Sequence, residues 1–330
     1  MGEVWAATDP NGDREVAVKV LLPRAALKPD LVRRFEREAR AVAAISSPYV
    51  CQLLAFERDG HSGAHLLVFE KLEGESLSDR LKRELYLPFA EVGGILDDVW
   101  QGLIAAHAAG IIHRDLKPGN IFLVRTGDPA KPERAKVLDF GISKLTKKDP
   151  AELDEPSLTD FDATLGSFAY MAPEQIRGAA RVDERADIYS LGAAAFRALS
   201  GRLPFEGASS GVILALKIDR PAPSLSEVTQ EQWPGGLERY LAKALQRDRE
   251  LRFASAEEAL HAWRAIVPVS SHQPSDRLPD RPSGSAVSES ADHTAVDGPP
   301  TVTEIDGPAR WDSTHTEIDP RALPRSGKDG

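Results

Sequence analysis

Apolar and polar positions sort into short strand-like runs up to Phe69 and into helical spacing over much of the remaining chain. Met1–Ala7 reads as a strand, Asp9-Pro10-Asn11-Gly12 as a turn and Glu15–Leu22 as a second strand, which together predict a hairpin. Beyond Pro29, Asp30 is a plausible N-cap, and Leu31, Phe35, Ala39 and Val42 fall on one helical face. Val50–Phe56 and His65–Phe69 predict two further strands, and the polar run Glu70–Gly74 a connector. Ser76, with Asp79 three residues on, opens a short helix. Pro88–Ala109 predicts a long helix closed by Gly110, with Val92, Leu96, Val99 and Leu103 on one face, although Gly93-Gly94 weakens it. Ile121–Val124 and Lys136–Leu138 look like paired strands around a Pro- and charge-rich surface insert, Arg125–Ala135. Asp187 starts an apolar helix that runs to Leu199, and Ser255 caps a final helix with Glu258.

Two stretches lack any period. Lys144–Leu165 is polar and carries Ser157, Thr159 and Thr164, the composition of a functional or mobile segment inside a domain. From 268 to 330 Pro, Ser, Asp, Gly and Thr dominate, with eleven acidic against six basic residues, so half of the chain's net charge of -10 sits there. Such a tail cannot bury enough apolar surface to order itself and is expected to be disordered. It repeats one tetrapeptide, Thr303-Glu304-Ile305-Asp306 and Thr316-Glu317-Ile318-Asp319.

Composition narrows the possibilities. An apolar fraction of 42% over 330 residues is that of a globular protein with a sizeable core. The negative balance gives no general field to attract nucleic acid or an anionic membrane surface, and no apolar run is long enough to span a bilayer. The single cysteine, Cys51, lies in an apolar run and reads as a buried core thiol. These features predict a cytoplasmic protein without a membrane span.

The chemistry concentrates in His113-Arg114-Asp115-Leu116-Lys117-Pro118-Gly119-Asn120, a polar run between a helix and a strand. It offers a carboxylate to accept a hydroxyl proton, a lysine two residues on to neutralise phosphate charge, and an amide five residues on to help hold a metal. His107, by contrast, reads as structural. Val16-Ala17-Val18-Lys19 ends a strand in a lysine, Glu38 projects from the inward face of the next helix, and Asp139-Phe140-Gly141 comes one strand after the polar run. Further on stands Gly166-Ser167-Phe168-Ala169-Tyr170-Met171-Ala172-Pro173-Glu174-Gln175.

These signatures, in this order, resemble a bacterial eukaryotic-like serine/threonine protein kinase. The resemblance implies an α+β bilobal fold over 1–267, with an N-lobe at about 1–69, a hinge at 70–74 and a C-lobe at 75–267. It assigns Asp115 as the base, Lys117 to charge on the transferred group and to Ser/Thr rather than Tyr acceptors, and Asn120 and Asp139 to Mg²⁺. Lys19, paired with Glu38, would position the phosphates of ATP. Gly2, Val4 and Ala17 would cover the nucleotide, Phe122 would lie beneath it, and the backbones of Glu70 and Leu72 would meet adenine, with Phe69 at the back. Asp187 would brace the catalytic loop, Arg252 would pair with Glu174, and Arg114 would receive a phosphorylated activation segment at Thr159 or Thr164.

The chain departs from the family pattern in two places. Ser167 stands where the family usually has threonine. The Gly-rich loop begins at its third glycine, Gly2, so the chain reads as truncated within that loop, with Met1 an internal methionine of a longer loop in preference to the start of a chain that truly lacks it. Three functions stand as expectations: phosphorylation of protein Ser/Thr hydroxyls, a pseudokinase-like nucleotide-binding scaffold, and a small-molecule phosphotransferase. Thr303 and Thr316 are candidate sites for a phosphothreonine-binding partner.

Overall fold

Strands β1 (Glu3–Asp9) and β2 (Arg14–Leu21) pair antiparallel as the pattern predicts, with Ala6 opposite Ala17 and Val4 opposite Lys19. The computed structural model describes residues 3–9, 14–21, 36, 37, 39–59, 64–140, 167–177, 182–207 and 209–267. Strands β3 (Leu53–Arg58) and β4 (His65–Glu70) complete an antiparallel sheet of order β1-β2-β4-β3. Helical residues 36, 37 and 39–43 come after β2, with Ala39 and Val42 buried on the predicted face. Leu31, Phe35 and Glu38 lie outside the described residues.

One strand begins later than the apolar run suggests. Val50 and Cys51 stay out of the first sheet because their backbone is committed elsewhere: Val50 bridges Val137, the Cys51 N–H donates to the Val137 carbonyl at 3.0 Å, and the Val137 N–H donates to Tyr49 at 2.8 Å, whereas the Gln52 carbonyl already accepts the Glu70 N–H of β4 at 3.0 Å. The run therefore stitches the small sheet to the second lobe. Cys51 is buried as expected, and burial pushes its thiol pKa up.

The second sheet has order β5-β6-β7, built from β5 (Gly74–Ser76), β6 (Ile121–Arg125) and β7 (Glu133–Val137). Gly74 sits at φ +151°, and a Cβ there would lie 1.9 Å from the Leu123 carbonyl oxygen, so the connector's glycine is required for β5 to approach β6. Strand β7 starts at Glu133, inside the stretch expected to be a loop, and only 126–132 lies between the strands. Its charges are accommodated: Glu133 accepts from Arg80 at 2.7 Å, and the Arg134 guanidinium stands 5.8 Å from the Tyr49 ring centroid.

Helix α1 (Leu77–Glu84) opens on Ser76, whose hydroxyl accepts the Asp79 N–H at 3.1 Å. Helix α2 (Phe89–Ala108) buries Val92, Leu96, Val99 and Leu103 as its spacing predicts. The helical lobe continues with α3 (Pro173–Arg177), α4 (Arg185–Ser200), α5 (Ser210–Asp219), α6 (Leu225–Thr229), α7 (Gly235–Ala244) and α8 (Ala256–Arg264). The Ser255 hydroxyl caps α8 by accepting the Glu258 N–H. Gly93 admits the chain just beyond α8: a Cβ there would lie 2.5 Å from a Val267 methyl, and the Gly93 carbonyl accepts the Trp263 indole N–H at 3.1 Å. Helix α4 is the axis of this lobe, buried along its length except at Arg185 and Arg197. A small sheet lobe and a larger helical lobe thus give the α+β bilobal architecture that the sequence implies.

Candidate active site

The loop 113–120 is held from beneath by α4. The buried Asp187 carboxylate accepts the His113 N–H and the Arg114 N–H, each at 2.8 Å, and lies 2.9 Å from His107 Nε2. Burial alone would raise the Asp187 pKa, but His107 and the His113 contacts outweigh it and hold the carboxyl below its usual range. His113 is itself a core residue. Its Nδ1 accepts the Asp115 N–H at 3.2 Å, so its Nε2 carries the proton and donates to the Leu138 carbonyl at 2.8 Å. Its ring packs on Phe140 with centroids 4.9 Å apart.

Arg114 adopts φ +63°, a strained conformation for a non-glycine residue that persists only where neighbours over-determine it. Asp187 grips its N–H, and the Gln175 amide donates to its carbonyl at 2.7 Å while accepting the Ala172 N–H at 2.9 Å. Gln175 therefore ties the end of the segment 167–172 to the loop.

On the solvent side the polar residues converge. The Asp115 carboxylate lies 3.2 Å from Lys117 Nζ and 3.4 Å from Asn120 Nδ2, and Asn120 Nδ2 donates to the Asp115 carbonyl at 2.8 Å. Lys117 Nζ also donates to the Ser167 hydroxyl at 2.8 Å, so a residue fifty positions away is brought to the loop. From the small lobe, Lys19 Nζ pairs with Asp139 Oδ2 at 2.7 Å. Asp139 has φ +50°, a second strained residue in the same cleft. The expected Lys19 partner, Glu38, lies outside the described residues, as do Gly2, Thr159, Thr164, Thr303 and Thr316.

Among the described residues no group of three or more His, Cys, Asp or Glu side chains gathers for a metal. The available donors are the Asp139 carboxylate and the side-chain oxygen of Asn120, whose nitrogen is held by Asp115. Both are hard oxygen ligands, the chemistry Mg²⁺ prefers, and few protein ligands are needed where phosphates supply the rest.

The residues expected around a nucleotide base are apolar and packed. Ala17 and Phe122 are buried in one cluster that continues through both lobes, and Val4 packs against it. Phe69 belongs to the same cluster. The Glu70 carboxylate accepts the Gln52 N–H at 2.8 Å and pairs with Lys136 at 2.5 Å, so this side chain braces the hinge. The Leu72 backbone makes no hydrogen bond to another described residue.

A bidentate pair stabilises the edge of the site, as the resemblance implies. Arg252 donates to Glu174 at 2.7 and 2.8 Å and also reaches the carbonyls of Gln246 and Arg185. Sequence reasoning misses two residues. Gln175 stands in the quoted motif with no role attached, and Lys217, buried against the 168–171 backbone, carries no signal in its local pattern.

Comparison with known proteins agrees with this geometry. The model of the protein kinase domain matches residues 1–263. The chain is 38% identical over 273 residues to the serine/threonine-protein kinase pkn2 of Myxococcus xanthus, covering 80% of this chain and 31% of that protein. It is 35% identical over 228 residues to the serine/threonine-protein kinase PknA of Mycobacterium tuberculosis, covering 68% and 50% respectively. The chain thus spans half or less of the length of these relatives. The crystal structure of the Mycobacterium tuberculosis PknI kinase domain superposes with a TM-score of 0.60 at 26% identity, covering 80% of this chain and 91% of that one. The chain belongs to the protein kinase family.

Proposed function

We propose that the protein transfers the terminal phosphoryl group of ATP to serine and threonine hydroxyls of proteins. The observation that carries this reading is the convergence of Asp115, Lys117 and Ser167 at 2.8–3.2 Å in a loop anchored by Asp187. Asp115 accepts the proton of the attacking hydroxyl as its oxygen bonds to phosphorus and the bond to the ADP leaving oxygen breaks. The Lys117 ammonium, already poised between Asp115 and Ser167, stabilises charge on the phosphoryl oxygens. Lys19 orients the phosphates from the small lobe, and Asn120 and Asp139 would hold Mg²⁺, which would supply neutralisation of phosphate charge. Ala17 and Phe122 form apolar walls for adenine, and the Leu72 backbone offers its hydrogen bonds.

The kinase domain occupies 1–267, and 268–330 forms an acidic tail. No helix among the described residues is long and apolar enough to cross a membrane, and we place the activity in the cytoplasm. Autophosphorylation at Thr159 or Thr164 would supply the phosphate that engages Arg114. Equal activity of wild type and the Thr159→Ala, Thr164→Ala double variant would remove that element. Thr303 and Thr316 are acceptors for a phosphothreonine-binding partner, and mass spectrometry after incubation with ATP reads their modification directly. The central test is incorporation of labelled phosphate into a generic protein acceptor. Asp115→Asn is expected to lower kcat by at least about 10²-fold, and labelling that survives unchanged in this variant overturns the mechanism.

A further inference from the structure

Lys217, on α5, is 1% exposed, and among the described residues no carboxylate pairs with it. Its ammonium instead donates to three backbone carbonyls of one short segment: Phe168 at 2.9 Å, Ala169 at 2.8 Å and Met171 at 2.6 Å. An ammonium has three N–H donors, so its capacity is spent on this segment. Burying a cation without a counter-ion is costly, and a methionine would fill the same space more cheaply. The carbonyls are what the lysine serves.

The same segment is tied at both ends. Ser167, just before it, accepts from Lys117, which stands beside Asp115; Ala172, just after it, donates to Gln175, which holds the Arg114 carbonyl. Lys217 supplies the grip on the middle. We propose that Lys217 is a positioning residue for the protein acceptor: it sets the backbone shape of 168–171, against which the substrate chain lies when its hydroxyl reaches Asp115. This rests on the proposal that the chain phosphorylates proteins.

The surroundings of Lys217 make the grip sensitive to pH. Burial, and after it the nearby Arg252 guanidinium, pulls its pKa down to about 7. The groups that face it are the Tyr189 ring of α4, 5.2 Å from Nζ, and Arg252, which lies over the same ring and is paired with Glu174 of α3. A neutral amine has two donors for three carbonyls, so deprotonation frees one of them.

The test is steady-state phosphorylation of a protein acceptor from pH 6 to 9, with KM measured separately for acceptor and for ATP. In wild type the acceptor KM is expected to rise with pH through about 7, whereas the KM for ATP stays flat. Lys217→Met is expected to raise the acceptor KM about tenfold, leave the KM for ATP within about twofold, and abolish the pH dependence. Lys217→Arg, which keeps its charge, is expected to hold the acceptor KM within about threefold of wild type and to be flat with pH. An acceptor KM unchanged in Lys217→Met, or raised in parallel with the KM for ATP, overturns the inference. Should the methionine variant not fold, an acceptor KM that still rises with pH in Lys217→Arg overturns it equally. A wild-type chain that labels no protein defeats the proposed function and this inference together; labelled protein with unaffected variants defeats the inference alone.

Discussion

Two buried charges of opposite sign hold the two halves of the site, and they do so by mirrored means. Asp187 accepts two backbone N–H groups of the catalytic loop, and Lys217 donates to three backbone carbonyls of the acceptor segment. Asp187 has a side-chain neighbour, His107, whereas among the described residues Lys217 has only the Tyr189 face and a like-charged Arg252 beside it. The pKa shifts reflect that difference. Asp187 is held below the ordinary carboxylate range, so its charge strengthens the fold at neutral pH and that contribution is lost only as pH falls through its folded pKa. Lys217 is held below the ordinary lysine range, so its charge weakens the fold. The catalytic loop is thus anchored against changes near neutral pH, and the acceptor segment is not.

The largest break in this comparison comes from Asp187→Asn. The amide keeps one acceptor but sets an NH₂ against groups that themselves donate, and removing one member of a buried charge network costs about 3 kcal/mol or more. Urea unfolding should show that loss, and kcat should fall about 10²-fold because the loop that carries Asp115 shifts. The acceptor KM should stay near wild type. A change in acceptor KM with kcat preserved would mean that the two anchors do not serve separate halves.

The second test uses stability against pH. Between a folded pKa of about 7 and an unfolded value near 10.5, the unfolded chain holds more protons at Lys217 than the folded one. Stability from this group therefore rises with pH across that window, by up to about 1.4 kcal/mol per unit. Lys217→Met should remove this slope from the difference between the two unfolding curves, and a slope that persists would place the titration elsewhere.

The contrast also explains what the sequence can tell. Asp187 is legible because it lies at the start of an apolar helix and within a motif order that the resemblance supplies. Arg252 and Glu174 are legible for the same reason, and their bidentate contact is where the resemblance puts it. Lys217 sits in a helix with exposed and buried positions mixed, and a lysine there reads as a solvated side chain until the fold brings the 168–171 backbone over it. Helical and strand periodicity locates most elements, and it errs where a segment's partners lie outside the segment itself. The pattern assigns Val50 and Cys51 to a sheet strand although they cross to Val137, and it assigns Glu133-Arg134 to a loop although they pair with β6 and Arg80 and Tyr49 accommodate their charges. Both errors share a cause: a pattern within one segment does not report which other segment pairs with its backbone and charges.

A smaller effect is expected at His107. His107→Phe removes the side-chain donor to Asp187 and leaves the two backbone N–H groups in place. The cost should be about 1–2 kcal/mol in urea unfolding, with kcat reduced only a few-fold. A loss of activity as large as that of Asp187→Asn would show that the histidine, and not the backbone pair, fixes the carboxylate.

The smallest effect separates the two anchors at the point where they meet. Ser167 lies between them, its hydroxyl accepting from Lys117 and its carbonyl from the Tyr170 N–H at 3.2 Å. Ser167→Thr keeps the hydroxyl and adds one methyl at a site that is 8% exposed, so activity should stay within about twofold. Ser167→Ala removes the oxygen and leaves Lys117 with Asp115 alone, a loss of one hydrogen bond worth about 1 kcal/mol. Because that bond joins the catalytic loop to the acceptor segment, the alanine variant should move both parameters, raising the acceptor KM and lowering kcat by roughly two- to fivefold each. If it moved only the acceptor KM, Lys117 would be acting on the segment and not through it, and the junction would belong to the Lys217 half of the site.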